Sequence, residues 1–486
     1  MAATSVRDPL DAAGDAPLSA RDRLVIPMPT DRITSWVWAL AITAIGGLLR
    51  FTNLGSPAEK IFDEVYYAKD AADLLKYGVE RDTQGTGPGF VAHPPLGKWL
   101  IAIGEQLFGV TPFGWRFAAA AVGTLSILVI IRVARRMTRS TLLGCIAGVL
   151  LSLDGLHFVQ SRVAMLDIFL MWWILLAFAC LLIDRDAMRS QLAEGLAHGL
   201  STGLRRWRLV AALCLGLALA TKWSAVWFIV AFALLTFAWD CGARRSAGVR
   251  KPVRAALRAN WAAALAGAVI VAGAYTASWA GWFLSDAGFD RHYGSTALAG
   301  WIHYHVQILN FHTGLTTHHR YESQPWSWLL LGRPVAYYYT APTGCGAPAC
   351  SREVLAIGNP ALWWTFIPAI VGMGWQWLAR RDWRATAVLT GVGAGILPWL
   401  RDPERTMFLF YTLPALPFLV LATTLCLGMV LGSKAADARR RLIGAWVVAG
   451  YVMLVAVTFA FFHPVLVGTT MTYAEWQNRI WFPTWL

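Results

Sequence analysis

Residues 33–64 read ITSWVWALAITAIGGLLRFTNLGSPAEKIFDE. The run over 33–51 carries one charge, Arg50, close to its end. A hydrocarbon core of about 30 Å is crossed by a helix of roughly 20 such residues. A short loop then leads to two adjacent carboxylates, Asp63 and Glu64. An acidic pair at the exit of a span suggests a reaction centre at a membrane surface. Further apolar runs follow near 116–135, 141–160, 166–183, 208–222, 223–239, 260–283, 361–379, 385–400, 407–431 and 442–462. The expected fold is therefore an all-α polytopic membrane protein of about eleven transmembrane helices.

Composition agrees with this. Hydrophobic residues make up 57% of the 486 and charged residues 14%, whereas a soluble domain is roughly a quarter charged. If the spans alternate from a cytoplasmic start, the inside segments are 1–32, 132–139, 184–208, 240–258, 379–384 and 432–441. They hold 26 of the 42 Lys and Arg but only 11 of the 28 Asp and Glu. The formal charge of +14 then belongs to one side of a cell membrane, and no nucleic-acid partner is needed to explain it. The same topology predicts a disordered cytoplasmic tail over 1–32 and a spanning module over 33–283 with an outer loop at 52–115. An extracytoplasmic loop over 284–360 is expected to cap the site, followed by C-terminal spans and an outer tail over 361–486.

In the first outer loop, FDEVYYAKDAADLLKYG over 62–78 spaces Phe62, Tyr66, Ala72, Leu74, Leu75 and Tyr77 among charges and ends on Gly78. That pattern predicts an amphipathic helix on the membrane face. LGKWLIAIGEQLFG, which follows His93-Pro94-Pro95, is too short to span and predicts a second interfacial helix. In the second loop Cys345 and Cys350 stand close enough to pair in an oxidising compartment.

The candidate residues each admit two readings. Asp63 and Glu64 could cap a helix, worth about 0.3–1 kcal/mol, or supply a general base. Arg50 and Arg116 close the ends of spans, where they could snorkel or offer paired donors to a phosphate, and Lys98 has the same choice. Asp167 opens the fourth span, where a charge is costly unless paired or lining a cavity, and Arg162 is a candidate partner. The histidines of the second loop lack a recognised zinc spacing. His318 and His319 suit hydrogen bonds to phosphate or sugar. Gly85 to Gly89 follows no strand and makes no nucleotide loop.

Arg50, Asp63-Glu64, His93-Pro94-Pro95-Leu96-Gly97-Lys98, Phe113-Gly114-Trp115-Arg116, the stretch 162–167 and Tyr321-Glu322-Ser323-Gln324-Pro325-Trp326 occur in one order. In this the chain resembles the protein O-mannosyltransferases over about 33–462. The resemblance implies a GT-C fold and transfer of mannose from a polyprenyl-phosphate mannose lipid to Ser or Thr of exported proteins, which the secretion translocon could deliver. It implies Asp63 as catalytic base with Glu64 beside it. Arg116, Arg50, Lys98, His318 and His319 would bind the donor phosphate, and His93, Arg162, Asp167, Tyr321, Glu322 and Trp326 would support the acceptor or the base. No metal site is assigned, although a divalent metal is not excluded, and no cofactor is implied beyond the lipid donor. The segment from Tyr411 to Leu416 also matches the family, with Phe410 where His is common. A second loop of 77 residues cannot hold the large β-trefoil domain of the eukaryotic members, which points to the compact bacterial form. Two other readings remain: a GT-C enzyme acting on a lipid or polysaccharide acceptor, and a transporter, which would place its charges at mid-span.

Overall fold

The helix Leu166–Gly195 is the axis of the molecule, with 72% of its most apolar window buried. The computed structural model describes residues 20–195, 205–433 and 435–486. Pro112–Thr138, Arg206–Leu219 and Ala225–Ser246 pack around that axis. Leu409–Leu431 is equally central, 78% buried over its apolar window, whereas Pro252–Ser278 and Ala438–Val467 are only 11% and 22% buried. These last two are apolar without protein neighbours on most of their surface, which suits contact with lipid.

Among the described residues, seven helices are long and apolar enough to cross a membrane. They coincide with seven of the eleven expected spans. Of the other four, Thr141–Ser152, Arg206–Leu219 and Trp383–Ile396 have 12, 14 and 14 residues, short of the roughly 20 needed. The fourth, Pro360–Arg380, has 21 residues but is rich in Trp. The expected span over 141–160 is broken by Asp154, which caps a separate short helix, Gly155–Gln160, by accepting from the His157 amide at 2.8 Å. The tail expected to be disordered falls partly outside the described residues, at 1–19. Its remainder is ordered: Ala20–Leu24 is helical, Leu24 is 2% exposed against Met188, Leu192 and Ala243, and Arg189 Nε donates to the Leu24 carbonyl at 2.8 Å.

The two interfacial helices form as expected, over Glu64–Tyr77 and Leu96–Phe108. The first ends on Gly78 at φ +74°, the left-handed C-cap that glycine adopts without penalty. The second approaches Pro112–Thr138 closely at Gly104, where a Cβ would stand 2.2 Å from the Gly114 carbonyl oxygen. A feature the sequence reading did not contain is a small antiparallel sheet, with Cys350–Ala356 between Val335–Thr340 and the two-residue strand Met471–Thr472. Cys345 and Cys350 form a disulfide in the turn of its hairpin. The sheet ties the 284–360 loop to the chain that follows Ala438–Val467 and lies at the end of the bundle that carries Asp63.

Glu105, on Leu96–Phe108, is 2% exposed, and neither carboxylate oxygen has a hydrogen-bond partner among the described residues. Burial pushes its carboxyl up to about 7, with Lys60 pulling it down and Asp73 adding to the rise. The proton is thus held more tightly in the folded than in the unfolded chain, so stability falls as pH rises from the ordinary 4.5 through about 7. Glu105→Gln should remove that fall. Melting temperatures followed across this range should decline for the wild type and stay flatter for the variant, and equal declines would reject the assignment.

Candidate active site

The turn over Ile61, Phe62, Asp63 and Glu64 is built around the second carboxylate. Glu64 Oε1 accepts from Arg116 Nε at 2.8 Å and from the Ala164 amide at 2.9 Å. Its Oε2 accepts from Arg116 Nη2 at 2.8 Å and from the Ile61 amide at 3.0 Å. Arg116 also donates to the carbonyls of Leu54, Pro57 and Glu59 at 3.2, 2.7 and 3.0 Å. Both side chains are fully buried, and the fork of donors that a guanidinium possesses is occupied. Arg116 therefore has no donor left for a phosphate, and Glu64 has no free oxygen for an acceptor. Together they are a brace that shapes the turn.

Asp63 behaves differently. It occupies the N-cap position of Glu64–Tyr77, yet its side chain makes no capping hydrogen bond, so the capping explanation does not account for it. Burial pushes its carboxyl up to about 6, opposed by the nearby Lys222 ammonium, reinforced by Asp167 and moderated by a hydrogen bond with Tyr67. A carboxylate near that value is ionised at neutral pH and still basic enough to accept a hydroxyl proton.

Opposite it, Lys222 Nζ lies 3.0 Å from each oxygen of Asp167 and 4.7 Å from the centre of the Tyr411 ring. A small cavity beside this pair is lined by Asp167, Lys222, Ser224, Trp227, Trp399 and Tyr411. The expected pairing of Asp167 with Arg162 does not form. Arg162 instead caps the end of Arg32–Phe51, donating to the carbonyls of Arg50, Thr52 and Asn53 at 2.7, 2.7 and 3.1 Å.

A second cation completes the cluster. His312 Nε2 lies 2.8 Å from the Ala92 carbonyl, to which only a ring N–H can bond, so its Nδ1 accepts from Arg405 Nη2 at 3.3 Å. Burial, with Arg405 and Lys222 nearby, holds His312 down to about 4, in keeping with the neutral ring. Arg405 Nη1 is shielded from solvent and has no partner among the described residues, and the same is true of His93 Nδ1. The His93 and His312 rings are 5.1 Å apart. Burial, then Lys222 and His312, keep His93 neutral. The cluster thus combines one basic carboxylate, one Asp–Lys pair and unused polar atoms on an arginine and a histidine.

Other expected site residues lie apart from this chemistry. Arg50 is fully buried and spent on the Gly46 carbonyl at 2.9 Å, His157 Nδ1 at 2.8 Å and Ser161 Oγ at 3.3 Å. Lys98 is 1% exposed and paired with Glu80 and with Asp70 at 3.6 Å. Lys98 is thus neutralised by two carboxylates, and the Arg50 donors are turned to neutral acceptors inside the bundle. His318 and Glu322 pair with each other at 2.8 Å on the surface, and Trp326 is 64% exposed. His319 is exposed, with its ring 5.1 Å from Phe408 and 6.3 Å from Phe62 and Tyr321 beside it at 5.9 Å. Lys222 and Arg405 were overlooked in the sequence although their signal was there: a lysine at the junction of two apolar runs, and an arginine at the start of another, are both costly without a purpose.

Two family models cover most of the chain: dolichyl-phosphate-mannose-protein mannosyltransferase over residues 40–275, and the C-terminal four-span region of protein O-mannosyltransferase over 297–485. A polyprenol-phosphate-mannose–protein mannosyltransferase of Mycobacterium tuberculosis is 40% identical over 489 residues, covering 94% of this chain and 93% of that protein. The chain belongs to the protein O-mannosyltransferase family. Relatives of the same name in Mycolicibacterium smegmatis and Corynebacterium glutamicum are 40% and 35% identical, with 98% and 93% of this chain and 98% and 94% of theirs aligned. The donor-bound Saccharomyces cerevisiae Pmt1-Pmt2 complex superposes with a TM-score of 0.74 at 14% identity, over 93% of each chain. Apo ArnT of Cupriavidus metallidurans gives 0.56 at 16% identity, over 90% of this chain and 77% of that one. These likenesses establish the GT-C fold of the family for the present chain.

Proposed function

We propose that this protein transfers mannose from polyprenyl-phosphate mannose to serine or threonine hydroxyls of exported proteins, in a single displacement that inverts the anomeric carbon. Asp63 takes the hydroxyl proton as the acceptor oxygen bonds to the anomeric carbon, and the bond from that carbon to the lipid phosphate breaks with its electrons. Lys222, Arg405 and the His93 ring meet the departing phosphate, in place of Arg116, Arg50 and Lys98. The observation that carries this reading is the juxtaposition of an uncapped, basic Asp63 with Lys222, whose neighbour Tyr411 also faces Arg405, a cation with a shielded Nη1 that has no hydrogen-bond partner among the described residues. Asp167 holds Lys222 in place. The family's name supports the donor, and the excess of Lys and Arg on one side supports a cytoplasmic N-terminus with the site on the outer face of the cell membrane. Acceptors would arrive there from the secretion translocon.

The test is incubation of membranes bearing the protein with labelled polyprenyl-phosphate mannose and a Ser/Thr-rich peptide. Labelled peptide is expected. Label appearing only in lipid or polysaccharide would move the acceptor, and no label at all would overturn the reading. Arg405→Ala should raise the donor KM by about tenfold or more, the worth of a charge-assisted hydrogen bond of roughly 1.5–3 kcal/mol. The peptide KM should stay near its wild-type value, and equal effects on both would remove Arg405 from the phosphate.

A further inference from the structure

Phe62, immediately before Asp63, has φ +49°, a left-handed backbone that a bulky residue keeps only where its surroundings over-determine it. Its ring stacks on Tyr337 with centroids 4.5 Å apart and planes 18° apart. Phe408 and Phe410 meet the same ring edge-on at 6.1 and 5.8 Å. Tyr337 is irregular in its own way. The pairing of Val335–Thr340 with Cys350–Ala356 slips between Ala336 and Tyr338, so Tyr337 is the extra residue of a bulge, the device by which a strand re-aims one side chain. The re-aimed ring is 4% exposed, and its hydroxyl accepts from Gln160 Nε2 at 2.7 Å. Two separate departures from regular backbone therefore meet in one stacked pair, one residue ahead of Asp63.

We propose that Tyr337 and Phe62 are positioning residues: the hairpin, through its bulged tyrosine, holds Phe62 in the left-handed conformation and so fixes the direction in which Asp63 leaves the turn. This rests on Asp63 being the base. Glu64 and Arg116 hold the backbone before Phe62, at Glu59 and Ile61, and after it at Glu64, which leaves the Phe62 side chain itself to be set by ring packing. Neither ring is a catalytic residue. The stack also makes the register of the hairpin matter to chemistry on another loop, because Tyr337 stands where that register slips.

The experiment uses full-length Tyr337→Leu, Tyr337→Phe, Phe62→Leu and the double leucine variant in lipid nanodiscs. Amide hydrogen exchange and initial-rate mannose transfer are both read. Tyr337→Leu should speed exchange over residues 61–67 with little change elsewhere. Its kcat should fall by about tenfold to a hundredfold, the scale of a misplaced catalytic group, while KM for donor and peptide stays near the wild-type values. Tyr337→Phe, which keeps the ring, should behave as wild type, and the double variant should be no worse than the worse single one. Unchanged exchange over 61–67, a rise in exchange throughout the protein, additive losses, or a higher peptide KM at unchanged kcat would each overturn the proposal. The exchange arm needs no substrate. A wild type that transfers no mannose, yet shows protection of 61–67 that depends on Tyr337, would overturn the functional reading alone and leave the positioning intact.

Discussion

Asp63→Asn should lower mannose transfer by about 10²- to 10⁴-fold, the usual contribution of a positioned general base, with the protein present in membranes at wild-type amount and melting at wild-type temperature. The substitution is nearly isosteric, and Asp63 makes no capping bond whose loss would loosen Glu64–Tyr77. What disappears is the ability to accept a proton. The wild-type pH profile should carry the same signature. With its carboxyl pushed up to about 6 by burial, Asp63 is increasingly protonated as pH falls through that value. The rate should therefore drop on the acid side and level off above it. Asp63→Asn should lose that acid limb along with the rate. Full transfer by the variant would exclude Asp63 as base and leave Asp167, which lies 3.0 Å from Lys222 Nζ, as the remaining carboxylate of the cluster.

How much of this was legible in advance depended on whether the determining contact was local. Span lengths and the two interfacial helices are properties of consecutive residues, and the 3.6-residue period of Phe62 to Gly78 was enough to place the first interfacial helix. Partners of buried charges are a different kind of information. Proximity suggested Arg162 for Asp167, but the last carbonyls of Arg32–Phe51 lack intrahelical donors, and Arg162 satisfies three residues there. Lys222, 55 residues beyond Asp167, takes the acid instead. Arg116 read as a phosphate ligand because a guanidinium at a span end is ambiguous until its neighbours are known. The sheet was missed for another reason. Val335 to Thr340 holds a valine, three tyrosines and a threonine, all β-formers, but no local pattern shows that the segment pairs with Cys350–Ala356.

Glu64→Ala should destabilise the protein by about 3–5 kcal/mol, because it leaves the Arg116 guanidinium buried without its counter-charge. Arg116 is fully buried and cannot swing into water. The expected results are a lower melting temperature, less protein in the membrane and loss of transfer. Loss of transfer alone would not distinguish a brace from a catalytic carboxylate, so a second variant is needed. Replacing both members by apolar residues of similar size, Glu64→Leu with Arg116→Met, removes the uncompensated charge, and such exchanges of buried ion pairs are often neutral or better for stability. Part of the stability should return, limited by the carbonyls of Leu54, Pro57 and Glu59 that then lose their donor. Activity should not return. The amides of Ile61 and Ala164, which Glu64 holds at 3.0 and 2.9 Å, would have nothing to fix them, and the turn that presents Asp63 would be free to drift. A double variant that is both stable and active would show that the brace serves folding only. Glu64→Ala with an unchanged melting temperature and no transfer would instead return Glu64 to direct contact with substrate, against the saturation of both its oxygens.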